Sequence, residues 1–149
     1  MNDPVQTATD RFKQGYSCSQ SIFSAFAQQF GLSDELASTI ASPFGGGIAH
    51  QGETCGAVTG ALMALSLKFG PKMNEDQDGI YLVSQEFIRR FKEQHTFLKC
   101  KQLINFDLSQ PSELEGARQS QVFDTVCPLL VKTAAEIVNS MLTTPKPSD

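Results

Sequence analysis

The sequence has four cysteines but no C-x-x-C pair. That absence removes local support for a zinc ribbon or a thioredoxin-type motif, and without C-x-x-C-H there is no c-type haem attachment. No basic run occurs and the net charge is -4, which argues against a nucleic-acid partner or an anionic membrane surface. The N-terminus, MNDPVQTATD, has neither a basic n-region nor an apolar h-region, so no secretion signal is expected. The longest apolar-rich stretch, Ala57 to Leu67, is too short to span a bilayer and carries hydroxyls. A cytoplasmic protein without membrane insertion is therefore expected. No run alternates strongly enough for a strand, no internal repeat or low-complexity segment stands out, and no Ser/His/Asp order is worth arguing.

What is present is a chain of 149 residues, 40% hydrophobic and 19% charged. That is enough to bury a core without cross-links. The patterning predicts an all-α, single-domain bundle of several helices over residues 1–142, with a Pro- and Ser-rich tail, 143–149. Asp3-Pro4 starts the first helix, which runs to about Gly15. Ser17 caps a second and places Cys18 in its first turn. Ile22, Phe23, Phe26 and Phe30 form its core stripe, and Gly31 ends it. A short helix from Ser33 faces Ile40 to the core and stops at Ser42-Pro43. The segment from Cys55 to about Phe69 is apolar nearly all round, which predicts the buried central helix, and Gly70-Pro71 terminates it. A long helix from about Asp76 to His95 carries an inner stripe of Ile80, Val83, Phe87 and Phe91, continued by Leu98. A short one carries Cys100, Leu103 and Ile104. Asp107 to Glu115 reads as a loop with room for one helical turn, with Glu113 and Glu115 on a solvated face, and Ala117 to Val126 as a further helical piece. Cys127-Pro128 opens the last helix, with Leu130, Val131, Ala134, Ile137, Val138 and Met141 inward.

The stretch Phe44 to Gly60, FGGGIAHQGETCGAVTG, reads as a site more than a core. Gly45, Gly46 and Gly47 give the backbone freedom to turn and to approach other atoms closely. Gly56 and Gly60 lie one turn apart on one helix face, where glycine costs about 1 kcal/mol against alanine. Close packing, close approach to a site, or a homodimer contact would each account for them. The triple glycine could cradle an anion, but no Lys or Arg stands beside it. His50 is a candidate ligand, base or proton donor, against the plainer reading of a solvated loop histidine. His95, at a predicted helix C-terminus, is placed where a cation is favourable.

Cys18, Cys55 and Cys127 fall at predicted helix starts, where free N–H groups and the helix dipole stabilise a thiolate. A lone cysteine so placed is often a small buried hydrophobe; the repetition argues for more. Successive cysteines are separated by 37, 45 and 27 residues, so any shared site must be assembled by tertiary structure. Four thiolates from separate helices could bind an iron–sulfur cluster or zinc. Pairs could instead cycle between dithiol and disulfide.

The order of single cysteines and the run CGAVTG at Cys55 to Gly60 resemble the four-cysteine family named after its C_GCAxxG_C_C pattern. The matching pieces are Gly15-Tyr16-Ser17-Cys18-Ser19-Gln20, Phe44 to Gly47, Thr54 to Ala61, Phe87 to Phe91, Cys100 to Ile104, and Cys127-Pro128. Thr54 stands directly before Cys55 where the pattern has glycine. The resemblance implies redox activity, with Cys18, Cys55, Cys100 and Cys127 as the functional cysteines, and it brings no defined substrate. More distantly, the cysteine order is similar to the non-haem iron–sulfur part of split-Soret cytochromes, although this chain lacks haem motifs.

The reading is thus a redox-active protein with its cysteines gathered near the start of the Cys55 helix. Its mechanism is either thiol–disulfide exchange, with Cys55 as an accessible nucleophile, or an iron–sulfur cluster held by all four, with Gly45, Gly46, Gly47 and Gly56 beside it. Its partner is a redox protein or a small-molecule substrate. The competing readings are a zinc or metal-sensor module without redox turnover, and a helical interaction protein whose cysteines merely pack.

Overall fold

A computed structural model describes residues 3–144. The described residues are helical, and their only β-type pairing is one antiparallel bridge between Thr54 and Lys99. The helices are α1 (Pro4–Lys13), α2 (Cys18–Ala27), α3 (Asp34–Ala41), α4 (Gly56–Phe69), α5 (Asp78–His95), α6 (Cys100–Ile104), α7 (Pro111–Ser120), α8 (Val122–Thr125) and α9 (Cys127–Thr143).

The starts are set by local chemistry. Asp3 accepts from the Val5 N–H at 2.9 Å, with Pro4 at the first helical position. Ser17 and Gln20 form a capping box on α2, each side chain bonding the other's backbone N–H, at 3.3 and 3.1 Å. Gly31 leaves the end of this segment with φ 84°, the left-handed conformation that suits glycine.

α4 is the central helix. It packs most extensively against α2 and also against α9 and α5. Ala57, Val58, Ala61, Ala64 and Leu65 are buried along it. The close approach to α2 rests on small residues. A Cβ on Gly60 would lie 2.8 Å from the Ser19 carbonyl oxygen and 3.1 Å from Ile22 Cβ. Ser19, Ser21 and Ser24 are buried on α2, and each hydroxyl donates to a backbone carbonyl, of Ala41, Ser17 and Gln20 respectively. The glycine face of α4 is therefore taken up by α2 and is not free for a second copy of the chain. On the outer side of α2, the half-buried Arg11 donates to both carboxylate oxygens of Asp34, at 3.2 and 2.9 Å, and to Ser24 at 2.7 Å, tying α1, α2 and α3 together. At the far end, Lys68 donates to the Leu142 carbonyl at 2.6 Å, a cation on the last turn of α9.

Several sequence expectations are corrected. Ile40 is 44% exposed. The buried stripe of α3 is instead Ala37 and Ala41, one turn apart and small enough to seat the helix close to α2. Leu98 lies beyond the end of α5, which closes at His95 with Thr96 in a left-handed turn. The segment 107–115 is only half loop, because Pro111 occupies the first position of α7 and Glu113 sits in its first turn. Glu113 is not simply solvated: its carboxylate accepts from the Asp107 N–H at 3.1 Å. Residues 117–126 are broken at Gln121, which takes φ 63° between α7 and α8. The stretch 122–143 is long and apolar enough to cross a membrane, longer than any run singled out above. Its Leu130, Val131, Ala134, Ala135 and Val138 are buried against the other helices. Most of the predicted tail lies outside the described residues.

Candidate functional site

All four cysteines stand at helix starts. Cys18, Cys100 and Cys127 open α2, α6 and α9, and Cys55 is the residue before α4. The sequence placed three of them there and missed Cys100, whose helix is only five residues long. The fold brings all four to the wall of one cavity of about 160 Å³. Its floor is buried: Cys55, Cys100 and Cys127 are 4%, 7% and 5% exposed. Cys18 is half-buried, nearer the mouth with Ser17 and His50.

The expectation that glycine neighbours leave Cys55 open to solvent is corrected. The space a Cβ on Gly56 would take is bounded by Cys18 Cβ at 3.1 Å and the Ser19 N at 3.0 Å. Gly56 thus brings α2, and Cys18 with it, against the start of α4. Access to Cys55 runs through the cavity.

The thiols act on one another. Cys18 is held well above the ordinary thiol pKa by its hydrogen bonds to Cys127 and Cys55, by burial, and by the nearby sulfur charges. Cys55 is shifted the other way. The neighbouring Cys18 thiol lowers it most, and the N–H groups of Ala57 and Val58, at the open end of α4, add to the lowering, against the opposing effect of burial. Cys100 is pushed up to about 12, chiefly by burial and then by the charges of Cys55, Cys127 and Asp107.

The glycine loop forms the opposite wall. Gly46, Gly47, Ile48, Ala49 and His50 have φ of 65°, 72°, 63°, 51° and 59°, a run of successive positive-φ residues. Such a conformation costs an L-residue about 1–2 kcal/mol, so Ile48, Ala49 and His50 hold strain that the glycines do not. Backbone bonds retain it. Ala49 N–H donates to Pro43 at 2.8 Å, His50 to Gly45 at 3.2 Å and Glu53 to Gly47 at 2.9 Å. Gly47 is required sterically as well: a Cβ there would lie 2.6 Å from the Glu53 N and 2.7 Å from Cys100 Cβ. A Cβ on Gly46 would overlap the His50 ring, so Gly46 makes the room in which His50 stands at the mouth.

A short backbone clamp joins this loop to the Cys100 segment. Cys100 N–H donates to Glu53 at 2.6 Å, Lys101 N–H to Gly52 at 3.2 Å, and Cys55 N–H to Leu98 at 2.8 Å. The Glu53 carboxylate lies 3.7 Å from Lys99 and 3.6 Å from Lys101, but these pairs are solvated and add little. Nothing in the sequence pairs 52–55 with 98–101; the clamp is a tertiary feature. His95 is not part of the site. Its Nε2 is 2.9 Å from Thr133 Oγ1, its ring leans on Phe91, and burial lowers its pKa, so a cationic cap role is replaced by a packed, neutral one.

Thiols from four helices are a fitting donor set for zinc or an iron–sulfur cluster by chemistry. By placement they do not fit. Among the described residues, no group of three or more His, Cys, Asp or Glu side chains is drawn together closely enough to hold a metal ion. No disulfide joins the cysteines, and all four are free thiols.

No curated protein and no solved structure matches the chain. A family model does match, over residues 16–141, and its description is "Putative redox-active protein (C_GCAxxG_C_C)". That span covers most of the chain and includes Cys18, Cys55, Cys100, Cys127 and the glycine loop, so the protein belongs to the C_GCAxxG_C_C family.

Proposed function

We propose that the protein carries out reversible thiol–disulfide exchange, with Cys55 as nucleophile and Cys18 as its resolving partner. The observation that carries this reading is that Cys18 and Cys55 line one cavity, with Gly56 drawing Cys18 against the start of α4; there the Cys55 pKa is lowered by Cys18, and that of Cys18 is raised by Cys127 and Cys55. A thiolate is the reactive form of cysteine. The resolving thiol must in turn lose its proton as it attacks; once Cys55 has reacted, its charge no longer helps to hold the Cys18 proton. Cys127, also hydrogen-bonded to Cys18, is the second thiol able to exchange with it. Cys100 stays protonated and serves packing beneath the glycine loop. Free thiols at rest suit a reducing compartment such as the cytoplasm, with an external dithiol as electron donor.

The test is anaerobic purification followed by iron, zinc and acid-labile sulfide analysis and a thiol count on the same sample. The reading expects no stoichiometric metal and four thiols, two of which disappear reversibly with a mild oxidant. Iron and sulfide with few titratable thiols would overturn it in favour of a four-cysteine cluster. Stoichiometric zinc would favour a metal module, and four inert thiols a packing role.

A further inference from the structure

We propose that the oxidant reduced by the Cys55–Cys18 pair is a small, uncharged organic hydroperoxide whose apolar body fills the cavity. This rests on the thiol–disulfide reading and adds the substrate class. The cavity is about 160 Å³, and beyond the sulfurs its wall is largely apolar: Phe12, Ile104, Leu108, Phe123 and Leu130. A dry cavity of about 150 Å³ lined by such side chains takes up a benzene-sized molecule. Among the described residues no Lys, Arg, Asp or Glu lines it, and His50 at the mouth is the only ionisable group there other than the thiols. An anionic disulfide of peptide size therefore finds neither the room nor a counter-charge, and burying its carboxylates unpaired would be costly. A hydroperoxide needs only that one oxygen reach Cys55 while its hydrocarbon part occupies the apolar wall.

The chemistry balances. The Cys55 thiolate attacks the terminal oxygen, and the O–O bond breaks. The alkoxide leaves and takes a proton from water at the mouth, giving the alcohol and a Cys55 sulfenic acid. Cys18 then displaces the sulfenic hydroxyl, which leaves with the Cys18 proton as water, and the Cys18–Cys55 disulfide forms. The two sulfurs supply the two electrons that reduce the peroxide.

The test is the rate at which the fully reduced, metal-free protein loses two thiols to tert-butyl hydroperoxide, hydrogen peroxide and glutathione disulfide. The expected order puts the organic hydroperoxide at least tenfold ahead of both. Leu108→Trp, which fills part of the cavity, should cut that rate at least tenfold. Equal rates with all three oxidants in the wild-type protein would overturn the substrate class and leave the disulfide reading standing. Failure to form any intramolecular disulfide, even with the thiol oxidant diamide, would overturn the disulfide reading itself. The wild-type comparison decides the matter even if the tryptophan variant does not fold.

Discussion

Cys18 and Cys55 wall the same cavity at the starts of α2 and α4, and their interaction lowers the Cys55 pKa, while Cys127 first and then Cys55 hold that of Cys18 up. This interaction predicts how Cys55 reactivity depends on pH. Cys18→Ala removes the neighbouring thiol and should return Cys55 toward the ordinary thiol range, shifting its alkylation profile to higher pH. Cys18→Ser keeps a hydroxyl donor and should leave the profile near that of the wild type. Iodoacetamide rates measured against pH, with the modified residue identified by mass, check both.

Cys100 predicts alkaline sensitivity. Its folded pKa, about 12, lies above the roughly 8.5 of an unfolded thiol. The stability it contributes is fully present below about 8.5 and is lost as pH rises toward 12. Cys18 acts in the same direction, and Cys55, with its lowered pKa, in the opposite one. The reduced protein should show a urea midpoint that falls between pH 8 and 10, and Cys100→Ala should flatten that fall.

The left-handed loop predicts two opposite effects from small changes. Gly47→Ala adds a Cβ at φ 72° against the Glu53 backbone and Cys100, and should cost about 2–4 kcal/mol. Ala49→Gly, at φ 51°, releases strain and should gain about 0.5–1 kcal/mol after the entropy that glycine adds to the unfolded chain. Equilibrium denaturation of the reduced protein reads both.

Gly60→Ala tests whether the α2–α4 approach sets the thiol contact. Alanine is the better helix former, yet its Cβ would meet the Ser19 carbonyl and Ile22. The net cost should be about 1–2 kcal/mol. Parting the helices should also weaken the Cys18–Cys55 interaction, so Cys55 alkylation should move to higher pH, as in Cys18→Ala.

Much of this was legible in the residues. Asp3-Pro4, Ser17, Gly31 and Cys127-Pro128 mark helix ends by local chemistry, and the helices begin or end where those signals stand. The apolar run after Cys55 is the central helix, because a segment apolar on every side has nowhere else to go. Ile40 misled because, in a helix of eight residues, two alanines at one-turn spacing outweighed a larger side chain as the contact with α2. The extent of helix within 107–115 was less legible: Pro111 starts α7, which runs on to Ser120. For the site, the glycines announced tight geometry without revealing what they approach. That Gly47 faces Cys100, that Gly56 faces Cys18, and that Leu98 to Lys101 pairs with Gly52 to Cys55 are long-range facts with no local signature.

The central claim is that Cys18 and Cys55 are the exchanging pair. The most direct measurement is peptide mass mapping of the reduced protein after one equivalent of diamide, with free thiols blocked before digestion. The account predicts a Cys18–Cys55 linkage with Cys100 and Cys127 blocked as free thiols. A Cys100–Cys127 linkage, or four free thiols after oxidation, would contradict it.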